Sequence, residues 1–294
     1  MKLLAILAVL TVLTACERTP FTESKTFAGG KVVSAATLNL GYTTYQEYCV
    51  QCHGVKGDGN GPSSKGLIPP PRNLTQGLYK FANVPYGELP HDADFHRIIR
   101  YGLKGSAMLP WDISDERLEA VTHYIKTFAA ATWEGGEKPL GVKVAATPDP
   151  YGSEKRAEAV ERGAKVYHIV AQCTTCHRGY ATKDELNAWN REINNAPLGE
   201  IEENFYALKL QDSEYNYKVA PPDFTYHELR SIHSTDDIYQ RLVYGVTGSG
   251  MPGWKDVVSD DDLWALTYYV ESLRALRTNP AARAALMEKL GTDN

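Results

Sequence analysis

Two pentapeptides constrain this chain more than anything else in it: Cys49-Val50-Gln51-Cys52-His53 and Cys173-Thr174-Thr175-Cys176-His177. Each is a C-x-x-C-H, the attachment signature of c-type haem. Two thiols three residues apart on one helical turn can both form thioethers with a porphyrin, and the adjacent histidine then meets the iron as its fifth ligand. The residues therefore predict two covalent haem c groups, bound through Cys49 and Cys52 with His53, and through Cys173 and Cys176 with His177. A thioredoxin-like pair has no use for a trailing histidine in both copies, and a zinc site built from both pairs fits poorly with the export signal described below.

An internal repeat supplies candidates for the sixth ligands. Tyr101-Gly102 through Met108 to Trp111 matches Tyr244-Gly245 through Met251 to Trp254 at a constant offset of 143 residues. Met108 and Met251 are the natural axial partners of His53 and His177. A lone methionine more often fills core space, and His91, His96 and His123 in the first half and His168, His227 and His233 in the second are the alternatives. Both blocks run into amphipathic segments, Asp115 to Phe128 and Asp260 to Leu276, with Ser114 and Ser259 placed as N-caps.

Each half resembles a class I cytochrome c domain, and the whole resembles diheme cytochromes built from two. Gly41, Tyr45 and Cys49, the glycine-rich stretch from Gly54 to Gly61-Pro62, and the downstream methionine carry the likeness. It implies an all-α fold, two tandem domains, each a few helices wrapped around one haem. It also implies a proline carbonyl that orients each ligand histidine, with Pro69, Pro70 and Pro71 around Pro70, and Pro221 and Pro222 around Pro221, as candidates. Trp111 and Trp254 are expected beside the haems, where an ordinary core role would place them equally well. The second half departs from the pattern: Gly163 and Tyr167 stand ten and six residues before Cys173, and 74 residues separate His177 from Met251 against 55 between His53 and Met108.

The first fifteen residues, a basic start followed by the apolar run Leu3 to Ala15, read as a signal peptide too short to span a bilayer comfortably. Leu13-Thr14-Ala15-Cys16 resembles the lipobox of bacterial lipoproteins, which implies a lipidated Cys16 and a globular part held at the periplasmic side of a membrane. A plain secretory signal and a retained N-terminal anchor are the other readings. Several acyl chains on one residue anchor stably, at ~0.8 kcal/mol per buried methylene. Losing Lys2 with the signal takes the formal charge from −5 to −6, the opposite of a nucleic-acid footprint.

The expected organisation is a signal (1–15), a flexible tether (16–40), a first cytochrome domain (41–130), a connector (131–150), a second domain (151–278) with an insertion near 180–219, and a C-terminal helix or tail (279–294) begun by Pro280. With both axial positions filled, the chain reads as a one-electron carrier, or as the cytochrome subunit of a larger respiratory complex, with redox proteins as donor and acceptor. The alternative is a peroxidase-like enzyme with one displaceable ligand.

Overall fold

The computed structural model describes residues 19–292, so Cys16 and the signal segment lie outside it. It is helical, in two domains of the same plan, as the resemblance implied. A hairpin comes first: β1 (Lys25–Phe27) pairs antiparallel with β2 (Lys31–Val33), Thr26 opposite Val32. The first domain then runs through α1 (Ala35–Tyr48), the single turn α2 (Val50–His53), α3 (Asp92–Tyr101), α4 (Asp115–Lys126) and α5 (Ala130–Trp133). The second contains α6 (Arg156–Lys165), α7 (Lys183–Asn194), α8 (Thr235–Tyr244), α9 (Asp260–Ala275) and α10 (Pro280–Leu290). Among the described residues no helix is long and apolar enough to cross a membrane.

The segment expected as a flexible tether is largely built into the domain. Phe27 and Leu38 are fully buried, and with Val33 and Ala28 they pack against Phe95 and Trp133. Removing those side chains from water at roughly 25 cal/mol per Å² is what holds the hairpin down. Its sequence signal was two short strand-like runs separated by Gly29-Gly30, both at positive φ (76° and 75°), which ordinary residues seldom adopt.

In each domain the first helix crosses a later long one, α4 or α9, at a glycine. A Cβ on Gly41 would overlap the Ala120 carbonyl of α4, and a Cβ on Gly163 would overlap the Ala265 carbonyl of α9. One helical turn further on, Tyr45 stacks obliquely on Tyr124 at 5.3 Å, and Tyr167 on Tyr269 at 5.5 Å. Ser114 and Ser259 accept from Arg117 N and Asp262 N, so both expected caps form. The helices end slightly earlier than their hydrophobic patterns, each passing into a short 3-10 turn, at Thr127–Ala129 and Leu276–Thr278.

The connector is clamped to both domains: Gly141 N donates to Leu89 O at 2.8 Å, and Thr147 O accepts from Trp264 Nε1 at 3.0 Å. The helices α3 and α8 meet along the seam. Arg97 pairs with Asp237 across it at 3.1 Å, while Asn83 Oδ1 accepts from both Arg97 and Arg241. The terminal helix, with Pro280 at its start and Asn279 as cap, closes on the second domain through fully buried Met287, whose sulfur accepts from Arg178.

Candidate functional site

Each C-x-x-C-H is wound on one turn, with the histidine N–H donating to the first cysteine's carbonyl: His53 to Cys49 at 2.9 Å and His177 to Cys173 at 2.8 Å. The four thiols are in no disulfide, and all are partly exposed. Burial pushes the Cys49 and Cys173 thiols up to about 12. Neither is a poised thiolate, which argues against disulfide exchange as their role.

A tyrosine hydroxyl braces each motif from the first helix. Tyr45 OH donates to the carbonyl of Gly54, and Tyr167 OH to that of Arg178, in each case the residue after the histidine. Those two tyrosines do not sit at the same spacing from their cysteines. The two extra residues in the second half are taken up by a π-helical turn, Val166–Val170, with Ala171 N donating to Val166 O, and by Gln172 in the left-handed region at φ 49°. Such turns concentrate at functional sites.

His53 Nδ1 lies 3.0 Å from the Arg72 carbonyl. A carbonyl only accepts, so Nδ1 carries the proton and Nε2 offers its lone pair, the tautomer that iron ligation requires. The orienting carbonyl is thus Arg72, not Pro70 or its neighbours. The glycine-rich loop sets this register by folding over the segment: Leu74 N donates to Gly57 O at 2.7 Å, and Gly59 lies so close to the Pro71 carbonyl that a Cβ would meet it at 2.7 Å. In the second domain His177 Nδ1 is buried without a hydrogen-bond partner among the described residues, and the Pro222 backbone, rather than that of Pro221, is the polar group that bears on its ring. Asp223 fixes that position by accepting from Arg178, Tyr180 and Thr225 together. Phe224 stacks on the His177 ring at 5.0 Å and 19°. Burial lowers both histidines' pKa, that of His177 to about 4, and keeps the rings neutral.

The two methionine loops share the same turn bonds. Leu103 N donates to Met108 O at 2.8 Å and Val246 N to Met251 O at 2.9 Å; the Ser106 and Ser249 hydroxyls donate to Leu103 O and Val246 O, both at 2.7 Å, and Ser106 Oγ also accepts from Met108 N at 3.2 Å; Trp111 N reaches Ile99 O and Trp254 N reaches Leu242 O. Gly102 (φ 64°) and Gly245 (φ 74°) turn each helix into its loop, where a Cβ would strike the methionine carbonyl. Met108 and Trp111 pack with Cys49 on the Tyr45 core, and Met251 and Trp254 with Cys173 on the Tyr167 core. Trp111 also meets Tyr48 edge to face at 5.4 Å. Methionines 55 and 74 residues downstream of the motif histidines thereby share a core with the first motif cysteine of their own domain.

The six other histidines are engaged elsewhere. His168 uses both ring nitrogens, toward Ala164 O and Tyr180 N, and His91 binds Gly141 O. His227 accepts from Asp223 N, and His233 lies against Tyr101. His96 and His123 converge with Asp92 on Glu119, but Lys126 and Lys31 already pair with those two carboxylates.

A family model described as cytochrome c oxidase, cbb3-type, subunit III matches residues 36–125 and 158–270. Among solved structures, the chain is similar to a chain of the Kuenenia stuttgartiensis reducing HAO-like protein complex. The two are 30% identical, with a TM-score of 0.63, over 80% of this chain and 95% of that one. No curated protein sequence matches significantly.

Proposed function

Because the chain belongs to the cytochrome c oxidase, cbb3-type, subunit III family, and is therefore an electron-transfer cytochrome with covalent haem c, we propose that it carries two such haems and works as a membrane-tethered subunit of a larger redox complex. Cys49 and Cys52 hold one, with His53 and Met108 on its iron; Cys173 and Cys176 hold the other, with His177 and Met251. Bound haem supplies reversible one-electron chemistry between ferric and ferrous iron. The chain's own part is to present two neutral imidazoles and two thioethers and to exclude water from the iron positions, which leaves no ligand vacancy for a substrate.

The observation that carries this reading is the duplicated methionine loop, closed by the same turn bonds in both domains and packed on the same core as the first motif cysteine in each. That the similar solved chain belongs to a complex supports a subunit over a free carrier. A lipid on Cys16 would hold the domains at the periplasmic side of the membrane, where donor and acceptor redox proteins meet them.

Intact mass and a haemochrome assay on protein matured in a periplasm test the haem count; a mass of bare polypeptide refutes it. Met108→His is expected to lower the potential of the first haem alone, and Met251→His that of the second alone. Carbon monoxide binding readily to either ferrous haem of the wild type would overturn the methionine assignment. Cys16→Ser should release a haem-loaded soluble form.

A further inference from the structure

Three cations share the seam without a counter-ion among the described residues. The Arg72 guanidinium lies 3.5 Å from the centroid of the Tyr215 ring, and Lys80 Nζ lies 5.4 Å from the same centroid. Arg230 belongs to the second domain and is held at the seam by its carbonyl, which accepts from Lys104 N at 3.2 Å; its charge and that of Arg72 both bear on Lys80. All three are half-buried. Elsewhere on the seam Arg97 has Asp237, but none of these three has a carboxylate within ion-pair distance among the described residues. The acid beside them, Glu214, is taken by the Tyr86 hydroxyl. Burial and the two neighbouring guanidinium groups push Lys80 down to about 8. Like charges drawn together out of water are costly unless an anion joins them.

The cluster touches both halves of the site. Arg72 is the residue whose carbonyl orients His53. Tyr215, contributed by the insertion, donates to the Thr247 carbonyl in the second methionine loop and packs on Gly248, where a Cβ would meet its ring at 2.5 Å. Glu214 N closes the same bridge on Gly248 O at 2.9 Å. An anion held here is thus fixed relative to the first histidine and the second methionine at once.

Resting on the two-haem reading above, we propose that Arg72, Lys80 and Arg230 form a carboxylate-binding site at the seam that receives haem propionates. Guanidinium groups suit carboxylates because they can bind both oxygens at once, and Lys80 adds a compact third charge. The insertion, through Tyr215, holds the cations in place from the second domain. Positive charge beside a haem favours its reduced state, so this site raises the potential of the haem whose carboxylates it takes.

The test uses the haem-loaded full chain with no partner present. Lys80→Gln, Arg230→Gln and the double variant are compared with Lys31→Gln, a hairpin lysine that pairs with Glu119 at 2.9 Å and takes no part in the seam cluster or the methionine loops. Haem content and the near-infrared sulfur-to-iron band are recorded first; a chain without covalent haem would refute the functional reading and this one with it. With both intact, the midpoint potential of at least one haem should fall in each single variant and further in the double, recover in Lys80→Arg, and stay put in Lys31→Gln. Redox-difference infrared bands of haem labelled with 13C in the propionates should move in the same variants. Unchanged potentials and bands would overturn the assignment. So would variants that only weaken binding of a polyglutamate probe, which would mark the cluster as a site for an external acid.

Discussion

The two domains hold their histidines by different means. In the first, a glycine-rich loop folds over residues 71–74 and leaves the Arg72 carbonyl to orient His53. The second has no such loop. There Asp223, buried with Arg178, Tyr180 and Thr225, fixes the chain beside Pro222, and Phe224 covers the His177 ring. What stays the same is the glycine at the helix crossing, the tyrosine that braces the carbonyl after the histidine, and the methionine loop. These are the parts that set where ligand atoms stand, whereas the support behind the histidine needs only to be rigid.

The comparison breaks most sharply at Asp223. Removing one partner of a buried ion pair strands the other, so Asp223→Ala should cost roughly 3–5 kcal/mol in the second domain and leave the first almost untouched. Hydrogen exchange resolved by peptide would show protection lost around Arg178 and α10 but kept in α1 and α4; equal loss in both domains would mean that the network supports the whole chain. The shared glycines should respond alike. Gly41→Ala and Gly163→Ala each force a methyl group into a backbone carbonyl, at about 1–3 kcal/mol apiece by denaturant unfolding, and a harmless Gly163→Ala would show that the second crossing is looser than the first. The smallest effect belongs to the tyrosine braces. Tyr45→Phe and Tyr167→Phe remove one hydrogen bond each, about 1 kcal/mol, and should perturb the haem of their own domain only.

Much of the candidate site could be read in the chain because it depends on local spacing. The two C-x-x-C-H turns, the short block repeated in both methionine loops and the serine caps are each local patterns, and each has a direct counterpart in the structure. The orienting carbonyls were harder, since every residue has a carbonyl and only the packing of the glycine loop, or of Asp223, decides which one reaches the ring. A tether was expected before Gly41 because its strands are three residues long and its apolar residues few; the burial of Phe27 against Trp133 depends on a segment more than a hundred residues away. The seam escaped for the same reason. Nothing local to Tyr215 announces that Arg72 will lie across its face.

The π-helical turn before Cys173 can also be understood as a matter of angular phase. An α-helix advances about 100° per residue, so two added residues would rotate everything after them by roughly 200° and point the motif cysteines away from the core. The wider turn at Val166–Val170 and the left-handed Gln172 absorb that rotation. Gly163 therefore keeps its crossing with Ala265, and Tyr167 its bond to Arg178. Length has been added to the helix without changing the direction in which it delivers its cargo.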